Sequence, residues 1–272
     1  MKVYLSVDME GISGISSAQQ TSLSGRDYEI AREYMIQDIN SAIEGALEGG
    51  ADEVLVKDAH GQMNNILPHK LHKKATLISG RGSEPLFMMQ GIDESFDCVF
   101  LIGYHAMGGT PYAFHDHTDS KIVHECRVNG IKMGEIGLCA GVAGYYGVPV
   151  VLVTGDKAGV EEAKSLLSPL ETVVVKEAYS RSCAHLLPLE EAHERIREAA
   201  KRALKLRKKP FSLDSPLKLT MTFTETNMVD RIAILPGAKR VDGYTVEIEA
   251  RDFIELFRYW QVFNFLGYSA RR

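Results

Sequence analysis

What most constrains this chain is the alternation of short β-branched runs with segments of helical period, starting at its second residue. Lys2 to Val7 is a strand-like run that ends in acidic residues. Arg26 to Gly49 carries Ala31, Tyr34, Met35, Ile39, Ala42, Ile43, Ala46 and Leu47 on one helical face, and Gly49-Gly50 supplies a stop. Glu53 to Lys57 is a second strand. Together they predict a β-α-β unit, which requires a parallel pair of strands.

The alternation continues. Strands are expected at Ala75 to Ile78, Cys98 to Ile102, Val148 to Val153 and Thr172 to Val175. Helices are expected over Gly134 to Tyr146, Gly159 to Leu167 and Leu189 to Lys208. This pattern predicts an α/β fold with a largely parallel central sheet flanked by helices. The tail differs: Leu217 to Phe223 and Tyr244 to Ile248 alternate, and a helix runs from Asp252 to about Leu266. Residues 1–210 are therefore read as an α/β domain, and 211–272 as a smaller C-terminal α+β segment.

Composition narrows the function. The 272 residues are 45% hydrophobic and 25% charged, values that suit a folded core. The net charge is −5, and no basic stripe with interleaved aromatics is present, which argues against nucleic acid as a partner. The cluster Arg202, Lys205, Arg207, Lys208, Lys209 is read as a solvated helix end. Ile136 to Gly155 carries no charge, but Gly147 and Pro149 divide it into a glycine-rich helix and a buried strand, so no membrane span is expected. Cys98, Cys126, Cys139 and Cys183 form no C-x-x-C pair. They are read as buried thiols, and the protein as cytoplasmic.

The chemistry collects where strands end. Asp8 and Glu10 follow the first strand, and residues two apart in extended chain face the same side. His60 follows the second strand, His105 follows the strand ending at Ile102, and Glu135 opens a helix. Carboxyl ends of parallel strands share one edge, so these groups are expected to converge there. Any one of them alone is more often a cap, a turn residue or a surface group. Their recurrence at the ends of one sheet is what carries a metal reading. Two imidazoles and three carboxylates suit zinc or another first-row divalent ion and suit calcium poorly. Five side chains exceed the four of a closed zinc site, so two ions sharing a carboxylate from Asp8 or Glu135 are expected. Other motifs are missing: His124-Glu125 opens like H-E-x-x-H, but Val128 stands at the last position, and there is no P-loop, G-x-G-x-x-G or G-x-S-x-G.

These blocks resemble the binuclear-zinc D-aminopeptidases of the dipeptide-transport-operon type. The resemblance rests on Ser6-Val7-Asp8-Met9-Glu10-Gly11, on Lys57-Asp58-Ala59-His60 with Asn64-Asn65, and on Gly103-Tyr104-His105-Ala106 with Thr110-Pro111. It also rests on Gly134-Glu135-Ile136-Gly137-Leu138 with Val142-Ala143-Gly144-Tyr145-Tyr146, and on Ser180-Arg181-Ser182 and Leu235-Pro236-Gly237 downstream. It spans essentially the whole chain. It implies two zinc ions on Asp8, Glu10, His60, His105 and Glu135, and hydrolysis of short peptides with an N-terminal D-residue. It implies a homo-oligomer, a decamer enclosing a chamber. It further implies a catalytic histidine after the third block. Phe114-His115-Asp116-His117-Thr118 carries one extra residue there, so His117, followed by a hydroxyl residue, is the choice and His115 the alternative. Two other readings use the same ligand types: a metal-dependent phosphoesterase or deacetylase, and a non-catalytic scaffold with metals as staples.

Overall fold

The computed structural model describes residues 1–82 and 84–271. Seven strands form the main sheet: β1 (Lys2–Val7), β2 (Glu53–Asp58), β3 (Ala75–Ile78), β4 (Cys98–Tyr104), β7 (Val150–Asp156), β8 (Glu171–Ser180) and β9 (Cys183–Leu186). Their order is β3-β2-β1-β4-β7-β8-β9. Every pairing is parallel except the hairpin of β8 with β9. The second sheet, β11-β12-β10-β5-β6, is antiparallel. It joins β5 (Val123–Val128) and β6 (Ile131–Lys132) to β10 (Leu217–Phe223), β11 (Lys239–Arg240) and β12 (Thr245–Ala250).

The helices are α1 (Ala18–Thr21), α2 (Tyr28–Glu48), α3 (Glu135–Tyr145), α4 (Lys157–Leu167), α5 (Leu189–Ala203), α6 (Thr226–Ile232) and α7 (Phe253–Ser269). Val3, Tyr4, Leu5 and Val7 of β1 are all fully buried, as a central parallel strand with both faces covered requires. Val3, Leu5 and Val7 share one core with Ile39 and Ile43 of α2 and with Ile196 and Ala199 of α5. Tyr4, Leu101 and Val153 point into a second core with α3, the second sheet and Trp260 of α7. The uncharged run from Ile136 resolves into α3 and β7, and no helix among the described residues is long and apolar enough to cross a membrane.

Two expectations are corrected. Helix α5 stops at Ala203, so most of the basic cluster lies beyond it. Leu204 turns into the core behind α2, and Lys208 donates to the Leu167 carbonyl at the end of α4. These tertiary contacts outweigh local helix propensity. Cys183 is exposed on edge strand β9, whereas Cys98, Cys126 and Cys139 are buried; all four thiols are free.

Candidate metal centre

The parallel register brings the strand ends together. Val7 pairs with Asp58 on one side and Ile102 on the other, so the chain leaves β1, β2 and β4 at one level. The Asp8 amide donates to the Ile102 carbonyl at 2.9 Å, and the Gly11 amide to the Gly103 carbonyl at 2.8 Å. Both glycines are needed. A Cβ at Gly11 would lie 2.0 Å from the Tyr104 carbonyl oxygen, and Gly103 has φ +71° with the Asp8 carbonyl 2.4 Å from where its Cβ would stand. The two ligand-bearing turns therefore approach more closely than side chains allow.

Asp8, Glu10, His105 and Glu135 are all buried, and His60 is only slightly exposed. His60 Nδ1 lies 3.2 Å from Asp8 Oδ1 and 2.9 Å from Glu10 Oε2. His105 Nε2 lies 3.3 Å from Asp8 Oδ2 and 3.6 Å from Glu135 Oε1. Two groups of donor atoms fall within 4.8 Å of one another: Asp8, Glu10, His105, and His105, His117, Glu135. Glu135 is the first residue of α3, where the helix dipole favours a carboxylate.

Each imidazole keeps one nitrogen for the cluster. His60 Nε2–H donates to the Thr21 carbonyl at 2.8 Å, His105 Nδ1–H to Ala106 at 2.9 Å, and His117 Nδ1–H to His115 at 2.7 Å. The second nitrogen of each ring is thereby left facing carboxylates, where it can hold a proton or, once deprotonated, offer a lone pair to a cation. A backbone acceptor on one nitrogen with the other left free is how metal-binding histidines are oriented. Asp8 Oδ2, Glu10 Oε2 and His105 Nε2 are buried without a hydrogen-bond partner, which polar atoms rarely tolerate. The donor set thus fits divalent cations.

The electrostatics agree. Burial opposes charge on His60 and His105, but the carboxylates of Glu10 and Asp8 around His60, and of Glu135 and Asp8 around His105, outweigh it and raise both imidazoles well above their ordinary value. Burial likewise opposes ionisation of Asp8, yet the two imidazoles hold it well below the usual carboxylate range. Glu10 is lowered too, His60 outweighing burial, while burial pushes Glu135 up to about 7. A cluster that pulls this strongly on protons would answer equally to a divalent ion.

The two candidate histidines part company. His117 stacks on His105 and brings Nε2 to 3.8 Å from Glu135 Oε1. His115 sits at φ +50° and stacks on Phe114, with ring centroids 4.2 Å apart. Burial, and then the neighbouring His105, keep His117 below its ordinary value and so mainly neutral near pH 7.

Comparison with known proteins rests on this geometry. Residues 1–262 match the family model described as D-aminopeptidase. The chain belongs to the D-aminopeptidase family. It is 36% identical over 261 residues to a D-aminopeptidase of Bacillus subtilis (strain 168), covering 95% of this chain and 94% of the relative. It superimposes with a TM-score of 0.95, at 35% identity and 98% coverage of both chains, on the Zn-dependent D-aminopeptidase DppA from Bacillus subtilis, described as a self-compartmentalizing protease.

Two buried groups, Asp58 and Lys176, and the half-buried Glu162, to which the sequence reading gave no role, hold this family member's ligand loops. Asp58 accepts from the Asn65 and Ile66 amides at 2.6 and 2.9 Å and from the His60 amide at 3.3 Å, fixing the turn that carries His60. Lys176 donates to the carbonyls of Glu10 and Ile15, each at 2.7 Å. Burial lowers its ammonium to about 7. Glu162 on α4 accepts from the Met107 amide at 2.7 Å, and its Oε1 packs against Gly134, where a Cβ would stand 2.6 Å from it, so it touches the segments of both His105 and Glu135. In sequence, Glu162 looks no different from the exposed Glu161 beside it.

Proposed function

We propose that this chain is a zinc-dependent aminopeptidase that removes an N-terminal D-residue from short peptides. In this reading Asp8, Glu10, His60, His105 and Glu135 hold two zinc ions, and His117 is the catalytic histidine. The observation that carries it is the shared orientation of His60, His105 and His117, each with one nitrogen on a backbone carbonyl and the other turned to buried carboxylates. The similarity to a Zn-dependent D-aminopeptidase over nearly the whole chain supports the same reading.

When bound, zinc would supply Lewis acidity toward the scissile carbonyl and lower the pKa of water to about 7. The protein's part is to hold and move protons. Neutral His117 has Nε2 free to take a proton from the attacking water and to return it to the leaving amine as the C–N bond breaks. The stack on His105 keeps that nitrogen facing Glu135.

The same reading makes the protein a homo-oligomer, a decamer as the family resemblance implies. Its support is the self-compartmentalizing relative and exposed apolar side chains: Ile234 is 80% exposed, Phe265 and Tyr112 each 76%. Four free thiols suit a cytoplasmic location. The test is hydrolysis of paired D- and L-alanyl amides by zinc-loaded protein. Faster release from the D-amide is the expected result. Cleavage of phosphate esters or acetyl groups, with neither amide touched, would reject it.

A further inference from the structure

The loop that carries His117 is bent in a way its own residues do not favour. His115 and Asp119, on either side of His117, have φ +50° and +62°, and Tyr112 has φ +53°. Residues with a Cβ adopt this left-handed conformation at a cost and keep it only where surrounding contacts impose it. Those contacts decide where the His117 imidazole stands.

Buried groups grip the loop at Phe114. Its amide donates to Asp156 Oδ2 at 3.3 Å, and the Lys176 ammonium lies 4.9 Å from the centre of its ring. Beyond Phe114 the hold passes to the turn between β8 and β9, where Arg181 sits. The His115 amide donates to the Arg181 carbonyl at 3.0 Å. Arg181 Nε donates to Asp116 Oδ1, and Nη2 to the Asp116 carbonyl, each at 2.8 Å. The other Asp116 oxygen, Oδ2, accepts from the Gly109 amide at 2.7 Å, which closes the loop on itself. Both residues immediately before His117 are therefore bonded to Arg181. The His117 ring takes its own orientation from the first of them, through Nδ1 and the His115 carbonyl. Among the described residues, Arg181 makes no hydrogen bond or ion pair with Asp8, Glu10, His60, His105 or Glu135.

We propose that Arg181 is a positioning residue for His117: clamped on Asp116, it holds the loop so that the imidazole stays aimed at the acidic cluster. This rests on the reading of His117 as the catalytic histidine and deepens it. A general base must stand within hydrogen-bond reach of the proton it takes, and a misplacement of about 1 Å can cost about 10²-fold in rate. A lysine at position 181 would keep the charge but not the planar pair of donors that spans the two Asp116 oxygens.

The experiment compares zinc-loaded wild type, Arg181→Ala, Arg181→Lys, Asp116→Asn and the Arg181→Ala/Asp116→Asn double variant on D-alanyl amide. Arg181→Ala should lower kcat by about tenfold or more with KM and zinc per chain unchanged, and Arg181→Lys should recover only part of the loss. The Arg181 side chain is 46% exposed, so millimolar guanidinium can enter the gap left by Arg181→Ala and should raise kcat above an equal concentration of sodium. The double variant should be no slower than the worse single one, because both act through one contact. Hydrogen exchange in Arg181→Ala should speed up across residues 106–118 and not in β4 or α3. Zinc loss alongside lost kcat, a change in KM alone, no rescue by guanidinium, or unchanged exchange at 106–118 overturns the proposal. Failure of wild type to cleave the amide would count against the aminopeptidase reading, and the exchange measurement would still judge the clamp.

Discussion

The rings of His105 and His117 stack with centroids 4.2 Å apart and planes 14° from parallel. Their far nitrogens, Nδ1 in both, donate to backbone carbonyls, and their Nε2 atoms both face Glu135. One helix-terminal carboxylate is therefore shared by a proposed metal ligand and a proposed catalytic base.

His117→Ala separates those two roles. It should leave zinc content unchanged and lower turnover by about 10²-fold or more, the usual weight of a general base. His115→Ala, which removes a ring stacked on Phe114, should be milder. Loss of a zinc ion from His117→Ala, read by metal analysis, would make His117 a ligand instead.

Glu162 acts as a positioning residue through the Met107 amide. Glu162→Ala leaves that part-buried donor unsatisfied and should weaken zinc binding by about tenfold, the scale of outer-shell contacts. Glu162→Gln keeps an acceptor oxygen and should stay closer to wild type. Competition against a chelating dye reads both. An unchanged affinity in Glu162→Ala would remove Glu162 from this role.

Away from the centre, Glu125 tests the second sheet. The Arg127 guanidinium, helped by Lys132, lowers its carboxyl to about 2. The unfolded chain takes up this proton at a higher pH than the native protein, so the contribution to stability is complete above the ordinary glutamate range and is lost as pH falls toward 2. The partners are partly exposed, so Glu125→Gln should cost only about 1 kcal/mol at neutral pH. Urea midpoints should show the gap between variant and wild type narrowing steadily below about pH 4.5. A gap independent of pH would contradict the assignment.

The strand ends were legible because period and position coincide. Each run from Lys2, Glu53 and Cys98 is bounded by a polar residue followed within a few positions by Gly, and parallel pairing places those ends at one edge. Less regular elements were not. Val123–Val128 carries His124, Glu125 and Arg127, so its alternation is short and charged; beyond a two-residue pairing with β6, it is held as β5 by β10, more than ninety positions later. Strand β9 and helix α6 are short and gain their order from contacts with β8 and α7. Among site residues, the candidate ligands follow from strand ends. The holding roles of Asp58, Lys176 and Glu162 depend on which backbone groups reach them, and no sequence period encodes that.

The central claim is that the carboxylate and imidazole cluster is a two-ion zinc site needed for hydrolysis. The most direct measurement is zinc per chain by elemental mass spectrometry, taken with D-alanyl amide hydrolysis before chelation, after chelation and after zinc is restored. The account predicts up to two zinc ions per chain, loss of hydrolysis on chelation with circular dichroism little changed because both apolar cores are independent of the ligands, and recovery with zinc. Full hydrolytic activity in protein verified to be metal-free would contradict it.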